Sequence, residues 1–376
     1  MKFKDVIGQQ AAKDGFFRFY NSDKVPHALL VNAQEGLGGL PFAIAIAQFI
    51  LCEHKQSSDV CGTCPSCLKV NKLAHPDLHL SFPSIAPKPG AKASSAHYMQ
   101  DFRNAIQENP YISTYDWLQY INAENKQGNI TAEECRSIVD ELQLKSFEGG
   151  YKIQIIWRPE YLGKEGNILL KLIEEPPSKT MIILVAEQLS SILNTILSRT
   201  QMINLLPNTM QEVANALVTN HQIDHDKALQ LALIAQNNYA AAIKLMHASG
   251  SNNFGLLKDW FNGVFANKGV LINDWVEQMA KMGREQQKNF ILYVQQILGY
   301  TMRCTMIVGY QPPLLQEELV FVQKLSARNF SLNIFQNLDQ LLTTTIYHIE
   351  RNAHAKTQFL NTSIKMQYIL QDKHLK

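Results

Sequence analysis

No apolar run in this 376-residue chain reaches the ~18–20 residues that a membrane helix needs. The longest candidate, Phe42 to Leu51, is short and interrupted by Gln48. The first residues, Met1-Lys2-Phe3-Lys4-Asp5-Val6, lack the long apolar core of a signal peptide. An excess of charge is missing too. Lys+Arg number 35 and Asp+Glu 33, a net +2, so no global field drives binding to nucleic acid or to a membrane. Short-period repeats and low-complexity tracts are absent. With 46% hydrophobic and 18% charged residues, the composition excludes long disorder. The length predicts domains of about 100–200 residues each, two or three in number. A cytoplasmic location is expected, with no membrane partner.

A further absence lies inside a motif. Ala28-Leu29-Leu30-Val31 reads as a buried strand, and Pro41-Phe42-Ala43-Ile44-Ala45-Ile46-Ala47 as a helix. Between them stands Asn32-Ala33-Gln34-Glu35-Gly36-Leu37-Gly38-Gly39-Leu40, the strand–glycine loop–helix context of a phosphate loop. A working loop carries Lys at position 39 to reach the β/γ-phosphates, and Ser or Thr at 40 to hold Mg²⁺. Here those positions are Gly39 and Leu40, and Ala33 replaces the first glycine. The loop is therefore degenerate. Gly36, Gly38 and Gly39 keep its turn, no ATP is expected, and the scaffold points to a structural or regulatory partner of an ATPase.

Cysteine is sparse, at six residues, yet four of the six cluster. Cys52, Cys61, Cys64 and Cys67 include Cys61-Gly62-Thr63-Cys64-Pro65-Ser66-Cys67. In a reducing compartment such a cluster reads as metal ligation. Four thiolates make a closed structural Zn²⁺ site, an iron–sulfur cluster accepts the same set, and a redox pair fits three evenly spaced cysteines poorly. His54, His75 and His79 lie near enough in sequence for one to replace a cysteine. Cys135 and Cys304 fall in helical patterns and read as small buried residues.

Up to about Pro207, helical patterns alternate with strand-like runs at His27–Val31, Leu78–Phe82, Ile153–Trp157 and Met181–Ala186. This predicts a mostly parallel sheet covered on both faces. The segment 83–128 reads as an insertion; its Tyr111, Tyr115, Trp117 and Tyr120 could stack on bases or pack within the domain. Pro83, Pro87, Pro89 and Gly90 open it, and Lys88 and Lys92 sit in a loop there. Residues 208–250 predict three short helices, over Met210–Val218, Asp226–Ala235 and Tyr239–His247, and 248–253 a hinge. From 254 to 376 all is helical. Ile334, Leu338, Leu341, Leu342, Ile346 and Ile349 form one apolar stripe, and Phe359, Leu360, Ile364 and Ile369 another.

Five stretches together resemble the delta-prime subunits of bacterial DNA polymerase III, clamp-loader members of the AAA+ family. They are Phe3-Lys4-Asp5-Val6-Ile7-Gly8-Gln9, Val25-Pro26-His27-Ala28-Leu29-Leu30, the cysteine module with His75-Pro76-Asp77, the run Asn167 to Pro177, and Ile196-Leu197-Ser198-Arg199-Thr200. They span residues 3–200. The resemblance implies an α/β AAA+ domain over 1–207 with a zinc module at 52–67, an all-α lid over 208–250 and an all-α collar over 254–376 that makes oligomer contacts through an apolar stripe. Structural Zn²⁺ on Cys52, Cys61, Cys64 and Cys67 is part of it.

Placed against that family, Trp157 and Arg158 stand where a metal-binding acidic pair belongs, with Glu160 three residues late, and Ala186-Glu187 stand at the polar sensor. Hydrolysis in cis is then not expected. Arg199, with Ser198, is implied as an arginine finger for a neighbouring subunit's nucleotide; a surface Arg capping a helix C-terminus is the plainer reading. Glu174-Glu175-Pro176-Pro177 reads as a helix end. Implied partners are gamma/tau-type ATPase subunits, the delta subunit, the sliding clamp and primer-template DNA. Arg136 and Lys145, on a helix opened by a Thr131–Glu134 capping box, are candidates for DNA phosphate contact. Two alternatives remain, a zinc-dependent nucleic-acid adaptor and an ATPase with an atypical loop.

Overall fold

The computed structural model describes all residues except 23–24, 89, 91, 124–125, 249–252, 313, 315, 352 and 372–376. Most of the expected hinge, and Pro89 of the insertion, lie outside the described residues. The chain divides into two compact units, Met1–Lys244 and Leu245–Lys376.

The first unit is built on five parallel strands, β1 (Ala28–Asn32), β2 (Leu78–Ser81), β3 (Lys152–Trp157), β4 (Thr180–Ala186) and β5 (Gln201–Asn204), in the order β2-β3-β4-β1-β5. Every residue of β3 and β4 is buried, as a parallel sheet covered on both faces requires. Alternate residues serve the two faces. Leu29, Val31, Ile155, Ile183 and Val185 join one core, while Ala28, Leu30, Ile156, Ile182 and Leu184 join the other. The edge strand β5 buries only Ile203, so it carries no apolar run.

Among the described residues eleven α-helices begin in this unit: α1 (Gln10–Asn21), α2 (Gly39–Leu51), α3 (Pro65–Asn71), α4 (Met99–Glu108), α5 (Thr114–Tyr120), α6 (Ala132–Gln143), α7 (Leu170–Glu174), α8 (Asn194–Leu197), α9 (Met210–His221), α10 (His225–Ile234) and α11 (Tyr239–Ala248). The helix after the glycine loop, α2, is buried along its whole length, which fits a sequence apolar all round. On the opposite face, Ile138 and Leu142 of α6 pack with Leu162, Leu169 and Leu172.

The described residues of the 83–128 insertion pack around Trp117 and Tyr111. Trp117 is fully buried, edge-on to Phe82 and Phe102 at 5.1 Å each, and donates from Nε1 to Pro83 O at 2.7 Å. Burial of Trp117 and Tyr111 uses them for packing, so they offer no face for stacking on bases.

The second unit holds α12 (Asn253–Ala266), α13 (Gly269–Ala280), α14 (Arg284–Met306), α15 (Gln316–Ser326), α16 (Leu332–Glu350) and α17 (Ala355–Leu370). Its core centres on Trp260 stacked on Trp275 at 4.6 Å. The α16 stripe belongs to that core. Ile334, Leu338, Leu342 and Ile349 are buried, and Leu341 and Ile346 pack against them. This stripe is covered within the unit. On α17, Phe359 is buried and Ile369 packs against the core, whereas Leu360 and Ile364 are exposed. No helix among the described residues is long and apolar enough to cross a membrane.

Candidate functional site

Gly36 and Gly38 hold φ of +80° and +90°, the left-handed region that a side chain resists, and so make the strand-to-helix turn from β1 to α2. Side chains from elsewhere in the same unit pack against this loop. From the insertion, the Tyr111 ring lies against Gly38, where an added methyl would stand 2.8 Å from Cε1. Its hydroxyl accepts from Ile7 N at 2.9 Å, and burial raises its pKa. From the turn before α11, Asn238 Nδ2 donates to Glu35 O at 2.6 Å; a methyl on Gly36 would meet its Oδ1 at 2.0 Å. At position 39, Ala33 Cβ and Val185 Cγ1 stand 2.9 and 3.0 Å from where a side chain would begin. The cavity left among Gly36, Gly38, Gly39, Tyr111, Trp157 and Glu187 is about 20 Å³, room for about one water.

At the end of β3, Trp157 is buried and packs on Phe102 at 5.6 Å. Arg158 turns left-handed, with φ +64°, and forms an ion pair with Glu187, just beyond β4. Glu160 joins them. Its Oε2 is 3.9 Å from Arg158 Nε, and its Oε1 accepts from the backbone N–H of Glu187 and Gln188 at 2.6 and 2.7 Å. A guanidinium stands at the end of the strand, and the nearby carboxylates are engaged with it and with backbone.

The four clustered cysteines converge. Cys52 ends α2, Cys64 caps α3 by accepting from Cys67 N, and Cys67 lies within α3. All four Sγ atoms lie within 4.8 Å of one another, with Cys52–Cys61 at 3.6 Å and Cys61–Cys67 at 3.9 Å, and none is in a disulfide. Thiolates about 2.3 Å from one tetrahedral ion stand about 3.8 Å apart, so the set fits a metal ion. Backbone N–H groups of Cys64 and Cys67 point at Cys61 Sγ and Cys64 Sγ, both at 3.4 Å. Hydrogen bonds from the Thr63 and Cys64 backbone bring the Cys61 thiol down to about 5; burial raises those of Cys52 and Cys67.

The histidines serve elsewhere. His54 is exposed, and His79 pairs with Glu141 at 2.9 Å. His75 is buried, with Nε2 3.0 Å from Glu148 Oε2 and Nδ1 accepting from Asp77 N at 3.1 Å. Asp77 accepts from Phe147 N and Glu148 N at 2.6 and 2.9 Å. The His75-Pro76-Asp77 run thus fastens the 144–151 loop beside the cysteine module.

Arg199 lies just past α8, exposed. Its Nε pairs with Glu174 at the end of α7, and its guanidinium donates to Thr195 O and Ser198 Oγ at 3.0 and 3.1 Å. Glu174 and Glu175 are both exposed. Arg136 is exposed on α6, but Lys145 lies beyond the end of that helix, which corrects its placement. The capping box there is also incomplete. Thr131 Oγ1 accepts from Glu134 N, but the Glu134 carboxylate turns inward, accepting from Ser81 Oγ at 2.8 Å and from Ser94 Oγ and Ser95 N at 3.2 and 3.1 Å. The sequence reading missed this buried bridge, since its partners come from β2 and the insertion.

With this geometry in hand, comparison with known proteins is decisive. The sequence profile of the family described as "DNA polymerase III, delta subunit" matches residues 8–209, more than half of the chain. The chain belongs to that family. It is similar to DNA polymerase III subunit delta' of Bacillus subtilis, 25% identical over 60% of this chain and 56% of that protein. It is similar also to subunit delta' of Yersinia pestis, 24% identical over 52% of this chain and 44% of that protein. The chain thus spans about half the length of these relatives. A solved gamma-subunit-related protein of Thermotoga maritima covers 95% of this chain and 99% of its own at 12% identity and a TM-score of 0.42, a likeness too weak to argue from.

Proposed function

We propose that the chain is a non-hydrolysing, delta-prime-like subunit of a clamp-loader complex. It completes a ring of gamma/tau-type ATPase subunits and the delta subunit, and that ring opens the sliding clamp and sets it on primer-template DNA. The observation that carries the reading is the phosphate loop. It keeps its turn with Gly39 and Leu40 where Lys and a hydroxyl belong, while Tyr111 packs against Gly38 and Asn238 against Gly36. The Arg158–Glu187 pair supports the same conclusion, because a guanidinium repels Mg²⁺. The 1–207 region is the AAA+ domain, 208–250 its lid and 254–376 the collar, working in the cytoplasm.

Arg199, flanked by Ser198, is the group this subunit offers to a neighbour. Its pair with Glu174 lies between exposed side chains, where such pairs are worth about 0–1 kcal/mol, so a phosphate can draw the guanidinium away at little cost. A guanidinium beside a transferring phosphoryl group offsets its developing charge. Cys52, Cys61, Cys64 and Cys67 hold Zn²⁺ as a closed structural site, with no position left for substrate.

The test is to reconstitute the complex with Arg199→Ala. ATPase activity is expected to fall while the subunits still co-purify in the same ratio. An unchanged rate would remove the finger role.

A further inference from the structure

Glu174 and Arg199 stand at the ends of two helices that share one core. Leu172 and Ile173 of α7 and Ile196 of α8 are buried in the same cluster, with Leu193 and Leu197 packed against it. Gly166 lets α8 approach closely, since an added methyl there would stand 2.9 Å from Ile196 Cδ1. Beyond α8 the backbone is tied down as well. Arg199 N donates to Ile196 O at 3.1 Å, and Thr200 Oγ1 donates to Leu197 O at 3.2 Å. Both side chains therefore project from fixed bases. A guanidinium carries five N–H groups in one plane. That of Arg199 engages the Glu174 carboxylate through Nε, and Thr195 O and Ser198 Oγ through Nη1 at 3.0 and 3.1 Å. The two N–H groups of Nη2 are left for a further acceptor. Ser198 Oγ in turn donates to Thr195 O at 3.3 Å, so its lone pairs serve the guanidinium. Glu174 gains nothing from its own helix. It is the last residue of α7, where a carboxylate opposes the helix dipole, and among the described residues its partner is Arg199.

We infer that Glu174 is a positioning residue for Arg199: it fixes the plane of the guanidinium so that Nη2 is offered to a terminal phosphate held by a neighbouring subunit. The inference rests on the proposed function, in which Arg199 acts on that subunit's nucleotide, and adds the residue that aims it. An exposed arginine loses much rotamer freedom when it is fixed. Contacts inside its own subunit bear that cost before the phosphate arrives, and a donor already in place needs no reorganisation at the moment of reaction. The direction of the pair matters more than its strength. Between exposed side chains it is weak, so it yields as the phosphate draws near, whereas Thr195 O and Ser198 Oγ keep Nη1 in register. The aiming contact is a hydrogen bond from Nε. A neutral acceptor of the same shape therefore serves the same purpose, and it does not repel the phosphate.

Steady-state ATPase kinetics of the reconstituted complex test this, on variants that co-purify with the other subunits in the wild-type ratio. Glu174→Ala is expected to lower kcat about three- to tenfold with KM for ATP unchanged, the pattern of a contact that acts in the transition state. Glu174→Gln keeps an acceptor for Nε and should hold kcat within about twofold of the wild type. Glu174→Ala/Arg199→Ala should be no slower than Arg199→Ala, because the two residues act through one group. In the isolated chain, the Arg199 Nε proton should exchange with water faster in Glu174→Ala than in the wild type or in Glu174→Gln. An unchanged kcat in Glu174→Ala, an equal loss in Glu174→Gln, or a further loss on top of Arg199→Ala would overturn the inference. If one of these is seen while Arg199→Ala alone slows the complex, the finger role stands and only the aiming by Glu174 falls. An unchanged rate in Arg199→Ala removes the finger role and the inference with it.

Discussion

Arg158 and Glu187 pair across the ends of β3 and β4, at the two positions that the family resemblance assigns to a metal-binding acid and a polar sensor. Both side chains are mostly buried, at 14% and 21% exposure. Removing one partner of such a pair strands the other charge. Arg158→Ala is expected to cost about 2–4 kcal/mol in urea unfolding, and Arg158→Ala/Glu187→Ala less than the sum of the single changes. Strict additivity in that double-mutant cycle would show that the pair contributes nothing.

Gly36 illustrates how a loop with no ligand still constrains its residues. Gly36→Ala meets both the left-handed φ and the Asn238 side chain, and a loss of about 2–4 kcal/mol is expected. Gly149 is the control. Its φ is +76° with nothing within 4 Å of an added methyl, so Gly149→Ala should cost only the backbone part, about 1–2 kcal/mol. Equal losses at the two sites would mean that Asn238 gives way freely.

The cysteine module should retain about one zinc per chain through purification, since structural sites bind with an apparent energy on the order of 10 kcal/mol. Cys64→Ser should lose the metal, and a chelator should open 52–72 to protease. The N-terminal segment should loosen with it, because Asp59 of the same module accepts from Phe3 N and Lys4 N at 3.0 and 3.2 Å. Zinc quantitation and limited proteolysis check both parts.

His75 sets a pH dependence. Burial holds its imidazole below the ordinary range, with Glu148 and Asp77 opposing and Lys69 adding to the depression. The unfolded chain therefore takes up a proton at a higher pH than the folded one. Stability is lost as pH falls through about 6.5, the unfolded value. Glu148 stays charged in that window, since Lys69 lowers its pKa. The unfolding free energy of His75→Gln should vary less than that of the wild type from about pH 7 to about pH 5. Parallel curves would remove His75 as the source.

The buried strands β1 and β4 were legible because each is an apolar run, β3 because Gln154 alone interrupts Ile153–Trp157, and the helices α9–α11 because their apolar residues recur at helical spacing. β5 was not, since three of its four residues face outward or are half covered. The convergence of the four thiols followed from local spacing alone. The contacts of Tyr111 and Asn238 with the glycine loop did not, because the two residues are distant in sequence and neither belongs to a motif. Which aromatics of the insertion pack inward was not legible, because burial depends on partners distant in sequence: Tyr111 and Trp117 are buried, while Tyr120 is exposed. The apolar stripe of α16 likewise told of a buried face without saying what covers it; α14 and α17 pack on it.

The most direct test of the account is equilibrium binding of labelled ATP, with Mg²⁺, to the purified chain. No saturable binding is expected up to about 1 mM, a limit that corresponds to about −4 kcal/mol, and no turnover. Micromolar binding accompanied by hydrolysis would contradict the account, since Gly39 and Leu40 supply neither the cation nor the hydroxyl that a triphosphate and its Mg²⁺ need.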